Sequence, residues 1–317
     1  MLTFALKRTG LILLSAVALT FVVFFLTNLD PNLEKLAKEQ NNMRMSDAQV
    51  EAWLAAQGYD RPMLIRYGEW LAAALQGDFG VSTRFRKPVA ELISERLGHT
   101  GILMFWVMVT MVPTALVIGV VAGMREGSRA DRGLSTVAIV TTATPEYVSG
   151  VIFSTIFASS AVGLQWVRGS SATAISDGIT FQNFALPVMT MSIYGMGYIA
   201  RMTRASMAEV MTAQYIRTAR LKGVSFPAIV LRHALRNALI APFTVIMLQF
   251  PWLLTGVVIV ETLFNYRGFG WLLVEAAANN DIQLLLACSV VAVTVVLVTQ
   301  LISDIGYVVL NPRIRVS

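Results

Sequence analysis

Six stretches of predominantly apolar residues, at 10–29, 101–124, 134–164, 184–200, 238–260 and 282–309, are separated by polar segments of very unequal length. About 20 helical residues cross a hydrocarbon core, so each stretch predicts a membrane-spanning helix. The first, "GLILLSAVALTFVVFFLTNL", follows Lys7 and Arg8. A signal peptide begins the same way, but this run is long and "LTNLDPNLE" has no small-x-small cleavage site, so an uncleaved helix is expected. The third is too long for one straight helix and holds Pro145 beside Glu146. Proline removes a backbone donor and crowds the preceding turn, which predicts a kink there. The fifth carries Pro242 and Pro251.

Two of the polar segments have helical patterns of their own. In 30–98, "SDAQVEAWLAAQG" opens on Ser46 with Gln49 three residues on, a capping box, and closes on Gly58. "RPMLIRYGEWLAAALQGDFG" places Pro62 near a helix start and Gly77 after its end, with Leu64, Tyr67, Trp70, Leu71 and Leu75 at helical spacing. Two short amphipathic helices are therefore expected, either as a lid over the neighbouring spans or as a docking surface for another protein. In 201–237, Met207, Val210, Met211, Ile216 and Leu221 fall on or near one face of a first helix, and "AIVLRHALRNALIAP" leads into the fifth span. Between them, Gly223 can take the positive φ that other residues resist, and Pro227 fits the first turn of a new helix. The expected shape is helix, sharp turn, helix, with a side chain at position 223 expected to clash.

Composition fixes the class. Hydrophobic residues make up 56% of the 317 and charged residues 14%, and mean hydropathy is +0.64, which marks a membrane protein. Charge then sets the orientation, because Lys and Arg near short loops are retained on the cytoplasmic side. Lys7 and Arg8, the loop "REGSRADR", the tail "NPRIRVS" and the seven basic residues Arg201, Arg204, Arg217, Arg220, Lys222, Arg232 and Arg236 give one side a net charge of +11. The segment 30–98 carries −1. Both termini are expected inside and 30–98 outside, and the overall +6 is a topology signal rather than a nucleic-acid patch. A polybasic helix lying on anionic lipid is the alternative reading of the 201–237 charges.

Several chemistries are excluded. Cys288 is the one cysteine, so neither a disulfide framework nor a cysteine metal site can form within the chain. His99 and His233 do not stand at ligand spacing. The sequence contains no phosphate-binding G-x-x-x-x-G-K-[ST], no H-E-x-x-H and no G-x-S-x-G. The few acidic residues near membrane depth, Glu146, Glu261, Glu275 and Asp304, fall near span ends, whereas an ion-coupled carrier is expected to bury ionisable groups near the midplane.

The stretch "YIRTARLKGVSFPAIVLRHALRNALIAP" (215–242) resembles the cytoplasmic EAA-type loop of binding-protein-dependent ABC importer permeases in the oligopeptide, dipeptide and nickel group. The similarity continues through "YGEWLAAALQGDFGVS", "RASMAEVMTAQYIRTARLKG", "VIVETLFNYRGFGWLLVEAAANND" and "VLNPRIR", and so covers nearly the whole chain. In that family the loop is a coupling helix seated in a groove of a cytoplasmic ATPase. Gly223 stands at the family's loop glycine. Arg217, Thr218 and Ala219 stand where the older consensus has an acidic residue and two alanines, and this subgroup has Arg-Thr-Ala there. With Arg220, Lys222, Val224 and Ser225, these are the ATPase-coupling residues the resemblance implies. One departure is "LQFPWLLTG", where relatives tend to have glycines around the positions of Pro251 and Trp252.

The resemblance implies an all-α integral membrane protein of six transmembrane helices. It has a helical periplasmic insertion between the first and second and a cytoplasmic coupling elbow between the fourth and fifth. The regions are then 1–29, 30–98 and a permease core over 99–317 containing the coupling segment 201–237. It implies a permease subunit in the bacterial inner membrane that binds no cofactor itself. Its partners are a second homologous permease, two cytoplasmic ABC ATPases that hold ATP and Mg, an extracytoplasmic substrate-binding protein and membrane lipid. The solute is expected to be small and polar, most simply a peptide. Oligosaccharide, opine and nickel uptake are alternatives on the same machinery, and an ion-coupled carrier is an alternative of another class. Met247, Phe250, Pro251, Trp252 and Leu254 are expected along the translocation path, unless Trp252 faces lipid or a packed helix. Trp70, Asp78 and Arg84 are expected to help seat the binding protein.

Overall fold

The computed structural model describes residues 2–160 and 164–310, with side chains for all of these except 2–8, 255 and 304–310. The basic tail with Arg313 and Arg315, and residues 161–163 of the third apolar stretch, lie outside the described residues. Helices follow in the order α1 (Leu2–Thr27), α2 (Asp30–Gln40), α3 (Asp47–Ala56), α4 (Met63–Leu75), α5 (Val89–Gly123), α6 (Arg129–Ala143) and α7 (Glu146–Phe157). Then come α8 (Phe181–Met211), α9 (Gln214–Leu221), α10 (Phe226–Ala228), a π-turn over Ile229–Ala234, α11 (Leu235–Ala238), α12 (Ile240–Leu263), α13 (Phe269–Ala278) and α14 (Ile282–Leu310). The chain divides into two compact units, Met1–Thr100 with Arg267–Leu301, and Gly101–Tyr266 with Ile302–Ser317.

In the first unit α1 exposes Leu11, Leu13 and Leu14 and buries Phe24 against Leu33, Leu36, Tyr67, Ile282 and Leu286. The Tyr67 hydroxyl donates to the Val17 carbonyl at 3.1 Å and lies 2.8 Å from Thr20 Oγ1. Helix α3 has the expected capping box at Ser46 and Gln49, and α4 starts after Pro62 and ends before Gly77. Two expectations need correction. A third short helix, α2, precedes them: Asp30 and Pro31 occupy its first turn and Leu33, Leu36 and Ala37 form its buried stripe. On α4, Tyr67 is buried but Leu64 and Leu75 are 71% and 82% exposed, so the apolar face is narrower than the spacing implied.

The second unit is organised around α8, which packs against α6, α7 and α12. Helix α8 buries 17 of its 31 residues, among them Asn183, Thr190, Ser192, Gly195, Gly197 and Thr203. A side chain at Gly119 would stand 2.6 Å from the Ala200 carbonyl, and one at Gly123 2.5 Å from the Arg204 carbonyl, so the two glycines let α5 run directly against α8. The third apolar stretch is not one kinked helix. Helices α6 and α7 meet at 108°, and Pro145 caps the start of α7 instead of bending a continuous helix. The start of α7 suits proline because the first turn has no intrahelical use for its missing N–H.

Three helices, α1, α5 and α14, are each long and apolar enough to cross a membrane, and two bent pairs, α6 with α7 and 226–238 with α12, satisfy the same test together. Helix α8, expected as the fourth span, is outside this set because the small and polar residues it buries lower its hydropathy.

Candidate coupling elbow and aromatic cavity

Beyond α8 the chain does not continue as one helix to Leu221, as the pattern predicted. It breaks at Thr212 and Ala213 and restarts as α9. Ile216 and Ala219 form the underside of α9 and pack with Met207, Met211, Ile229, Val230, Ala234 and Ala238, while Leu221 is 83% exposed. The turn is a Schellman motif: Gly223 N–H donates to the Arg220 carbonyl at 3.0 Å and Val224 N–H to the Ala219 carbonyl at 3.2 Å. Gly223 has φ of +76°. The expected clash is absent, since nothing lies within 4 Å of where its Cβ would sit. Glycine is suited to this turn by backbone conformation alone, because L side chains resist that φ.

Ser225 and Pro227 then open α10. The returning strand of the elbow is tied down by Ser206 Oγ donating to the Ala238 carbonyl at 2.8 Å and Asn237 Nδ2 donating to the Tyr215 hydroxyl at 3.0 Å. The Arg125 guanidinium lies 5.6 Å over the Phe226 ring. The outer face is basic and uncommitted: Arg217, Arg220, Lys222, Arg232 and Arg236 are exposed, and none makes an ion pair among the described residues. Thr218 donates to the Gln214 carbonyl, and Val224 is half-buried against the underside.

Arg204, counted with the basic residues of this segment, has a different place. Its Nε and Nη2 donate to the two carboxylate oxygens of Asp131 at 2.9 and 2.8 Å, and Glu126 stands 3.3 Å away. Asp131 also accepts from Gly127 N–H and Ser135 Oγ, so its buried carboxylate is fully engaged and joins the foot of α6 to α8.

On α12 the residues expected along a path divide between two faces. With about 100° per residue, Met247, Phe250, Pro251 and Leu254 share one face and Trp252 lies on the other with Leu248, Gln249 and Gly256. Pro251 is interior to α12 and offers no N–H to the Met247 carbonyl one turn back. Ser303 Oγ on α14 donates to that carbonyl at 2.9 Å and fills the vacancy. Trp252 stacks on Tyr194 of α8, with centroids 4.7 Å apart and planes 15° apart. With Thr142, Tyr198, Leu248 and Gln249 they line a cavity of about 350 Å³. A side chain at Gly256 would stand 3.3 Å from Glu146 Oε1 and 3.6 Å from Trp252 Cζ2, so the carboxylate and the indole edge both border Gly256, at the margin of the cavity. Tyr194, Tyr198, Gln249 and Glu146 were not singled out from sequence as one group. Tyr194 and Tyr198 stand four residues apart within the fourth stretch, one helical turn.

The residues expected to seat a binding protein are also divided. Asp78 accepts from Gly80 N–H at 2.9 Å within its own turn. Arg84 lines a hollow of about 880 Å³ with Glu39, Ser82, Arg86 and Asn279. Its backbone N–H and the Ser82 hydroxyl donate to the buried Asp281, at 3.1 and 2.5 Å, and Asp281 in turn accepts from Leu284 N–H at the start of α14. Trp70 lies elsewhere, stacked on Tyr67 at 6.2 Å and close to Arg66, whose guanidinium pKa is lowered by burial.

Residues 115–316 match the family described as binding-protein-dependent transport system inner membrane component. Among curated proteins, the chain is 34% identical over 319 residues to the glutathione transport system permease protein GsiC of Salmonella choleraesuis, covering 99% of each chain. It is 30% identical over 323 residues to the oligopeptide transport system permease protein AppB of Bacillus subtilis, covering 99% of this chain and 100% of that one. A probable peptide ABC transporter permease protein of Sinorhizobium fredii is 35% identical over 260 residues, 81% of this chain and 82% of its own.

Proposed function

Since this chain belongs to the family of binding-protein-dependent transport system inner membrane components, we propose that it forms half of the path of an ATP-driven importer for peptides or peptide-like solutes. It is a non-catalytic membrane subunit of an ABC importer. The peptide class rests on relatives whose names carry peptide, oligopeptide and glutathione. In this reading the chain crosses the inner membrane six times with both termini in the cytoplasm. It pairs with a second permease of the same family over two ATPases that hold ATP and Mg, and it receives solute from an extracytoplasmic binding protein.

The observation that carries the reading is the elbow. It presents exposed Arg217, Arg220 and Lys222 on a rigid apolar base closed by a Schellman turn at Gly223. We assign ATPase coupling to Arg217, Thr218, Ala219, Arg220, Lys222, Gly223, Val224 and Ser225. Ala219 acts from the buried underside and the charged residues from the exposed face. Met247, Phe250, Pro251, Trp252 and Leu254 are assigned to the path, and Trp70, Asp78 and Arg84 to the seat of the binding protein.

The test is co-expression of the chain with its ATPase, second-permease and binding-protein subunits, followed by reconstitution in vesicles. Uptake of tri-alanine that requires ATP and persists without an ion gradient is the expected result. Uptake that follows a proton or sodium gradient without ATP overturns it in favour of a carrier.

A further inference from the structure

We infer that the cavity between α8 and α12 is a subsite for the positively charged amine of a transported solute. The inference rests on the importer reading above and names the chemistry of one point along its path. Gln249 is 6% exposed, lines the cavity and makes no hydrogen bond among the described residues. The amide opens on the cavity, so what completes it is whatever occupies that space, water or a ligand. Glu146 also has no hydrogen-bond or ion-pair partner among the described residues, and its Oε1 and the Trp252 edge both border Gly256.

Among the described residues no basic side chain lines the cavity. Its walls are the stacked Tyr194 and Trp252 rings with Tyr198, and aromatic faces attract cations through their quadrupoles. An amide carbonyl and aromatic rings lining one cavity, with the Glu146 carboxylate bordering it over Gly256, match a primary ammonium: three N–H donors with a single charge. They match an anion poorly, since the carboxylate repels it, and a neutral apolar group would leave the Gln249 amide unsatisfied. Trp252 is a specificity element in this account and not only a constriction.

The cavity can be probed without knowing the solute. In the reconstituted whole transporter, in a C288A background, L248C and Y198C each place a thiol on the wall. Leu248 and Tyr198 are 54% and 49% exposed, so both variants are expected to assemble. Cationic and anionic methanethiosulfonates of similar size are compared, each normalised to its rate with a free thiol. The cationic reagent is expected to react about tenfold faster, and E146Q to abolish most of the difference. Propylammonium is expected to protect both thiols while propanol at the same concentration does not, with that protection lost in E146Q. Equal rates for the two reagents, thiols that neither reagent reaches, or equal protection by propanol overturns the subsite. Tri-alanine uptake is measured in the same vesicles. Its absence alongside cation-selective labelling refutes the peptide reading and leaves the subsite standing.

Discussion

The elbow and the aromatic cavity both branch from α8, and both hold polar groups without partners among the described residues, yet in opposite surroundings. At the elbow the uncommitted groups are Arg217, Arg220 and Lys222, all exposed, where water solvates them at no penalty. Beneath them Ile216 is fully buried among Met207, Ile229 and Ala234. In the cavity the uncommitted group is the amide of the largely buried Gln249, which opens on the aromatic walls. A firm base under free surface charge suits repeated docking of a separate subunit. A half-open wall with an unfilled amide suits a passing ligand. The geometry around Arg204 makes the contrast sharper: the one basic residue of this segment paired with a buried carboxylate serves the scaffold.

The largest effect expected from breaking the contrast is at that scaffold. Asp131→Asn leaves Arg204 without its bidentate partner. Removing one member of a buried pair costs about 3–5 kcal/mol, and the lower end applies here because the Arg204 side chain is 30% exposed and keeps Glu126. Thermal unfolding of the purified complex should shift down clearly, whereas Arg201→Ala, at an exposed position on the same helix, should leave it unchanged. An equal response to both would remove the distinction between committed and free charge.

Next comes the turn. Since the space at Gly223 is open, a substitution acts through φ and charge. A β-branched residue held at positive φ costs about 1–3 kcal/mol, enough to shift a docking equilibrium by about tenfold. Asn and Asp adopt that conformation more readily. Gly223→Val is therefore expected to lower coupled transport through the backbone, Gly223→Asn to retain most of it, and Gly223→Asp to lose it through charge beside the ATPase. Insertion and assembly should survive in all three. If Asn is as damaging as Val, backbone strain is not what matters there.

Much of this was legible in the sequence, and the misses have physical causes. The Ser46 capping box, the turn at Gly223 and the helix start at Pro227 are local chemistry, written in three or four adjacent residues. At Pro145 the sequence predicts only a kink, because proline alone does not say whether the helix resumes in the same direction. Helix α2 was missed because its stripe of Leu33, Leu36 and Ala37 is short and interleaved with Lys35 and Lys38. The aromatic cavity was half visible: Trp252 stood out as unusual, but Tyr194, Gln249 and Glu146 come from three different helices. No one-dimensional spacing brings them together. Likewise the partner of the Met247 carbonyl lies 56 residues away.

That carbonyl supplies a smaller effect, at the face of α12 turned away from the cavity. Ser303→Ala removes the hydroxyl that completes Met247 in place of the missing Pro251 N–H. An unsatisfied buried acceptor costs about 1–3 kcal/mol, and the lower end applies to this part-buried carbonyl. Pro251→Ala in the same background restores the helical hydrogen bond and should recover most of the loss. Additive losses in the thermal stability of the double variant would mean that the serine and the proline act separately.

The smallest effect is expected where the charges are free. Arg217 and Arg220 stand three apart on α9, on neighbouring positions of the exposed face, and both lack an ion pair among the described residues. Their removal should not destabilise the permease, because nothing folded depends on them. Any contact they make with acidic groups of an ATPase is near the surface, where an ion pair is worth about 0.2–1 kcal/mol and is screened by salt. Arg217→Glu with Arg220→Glu replaces attraction by repulsion. It should raise the concentration of ATPase needed for half-maximal assembly severalfold at low salt, with the difference from the unaltered chain shrinking as salt is raised. Vesicle binding of the permease elbow to anionic lipid offers the competing outcome. If the double variant changes lipid association but leaves ATPase assembly untouched at every salt concentration, the basic face serves the membrane surface and not the coupling subunit.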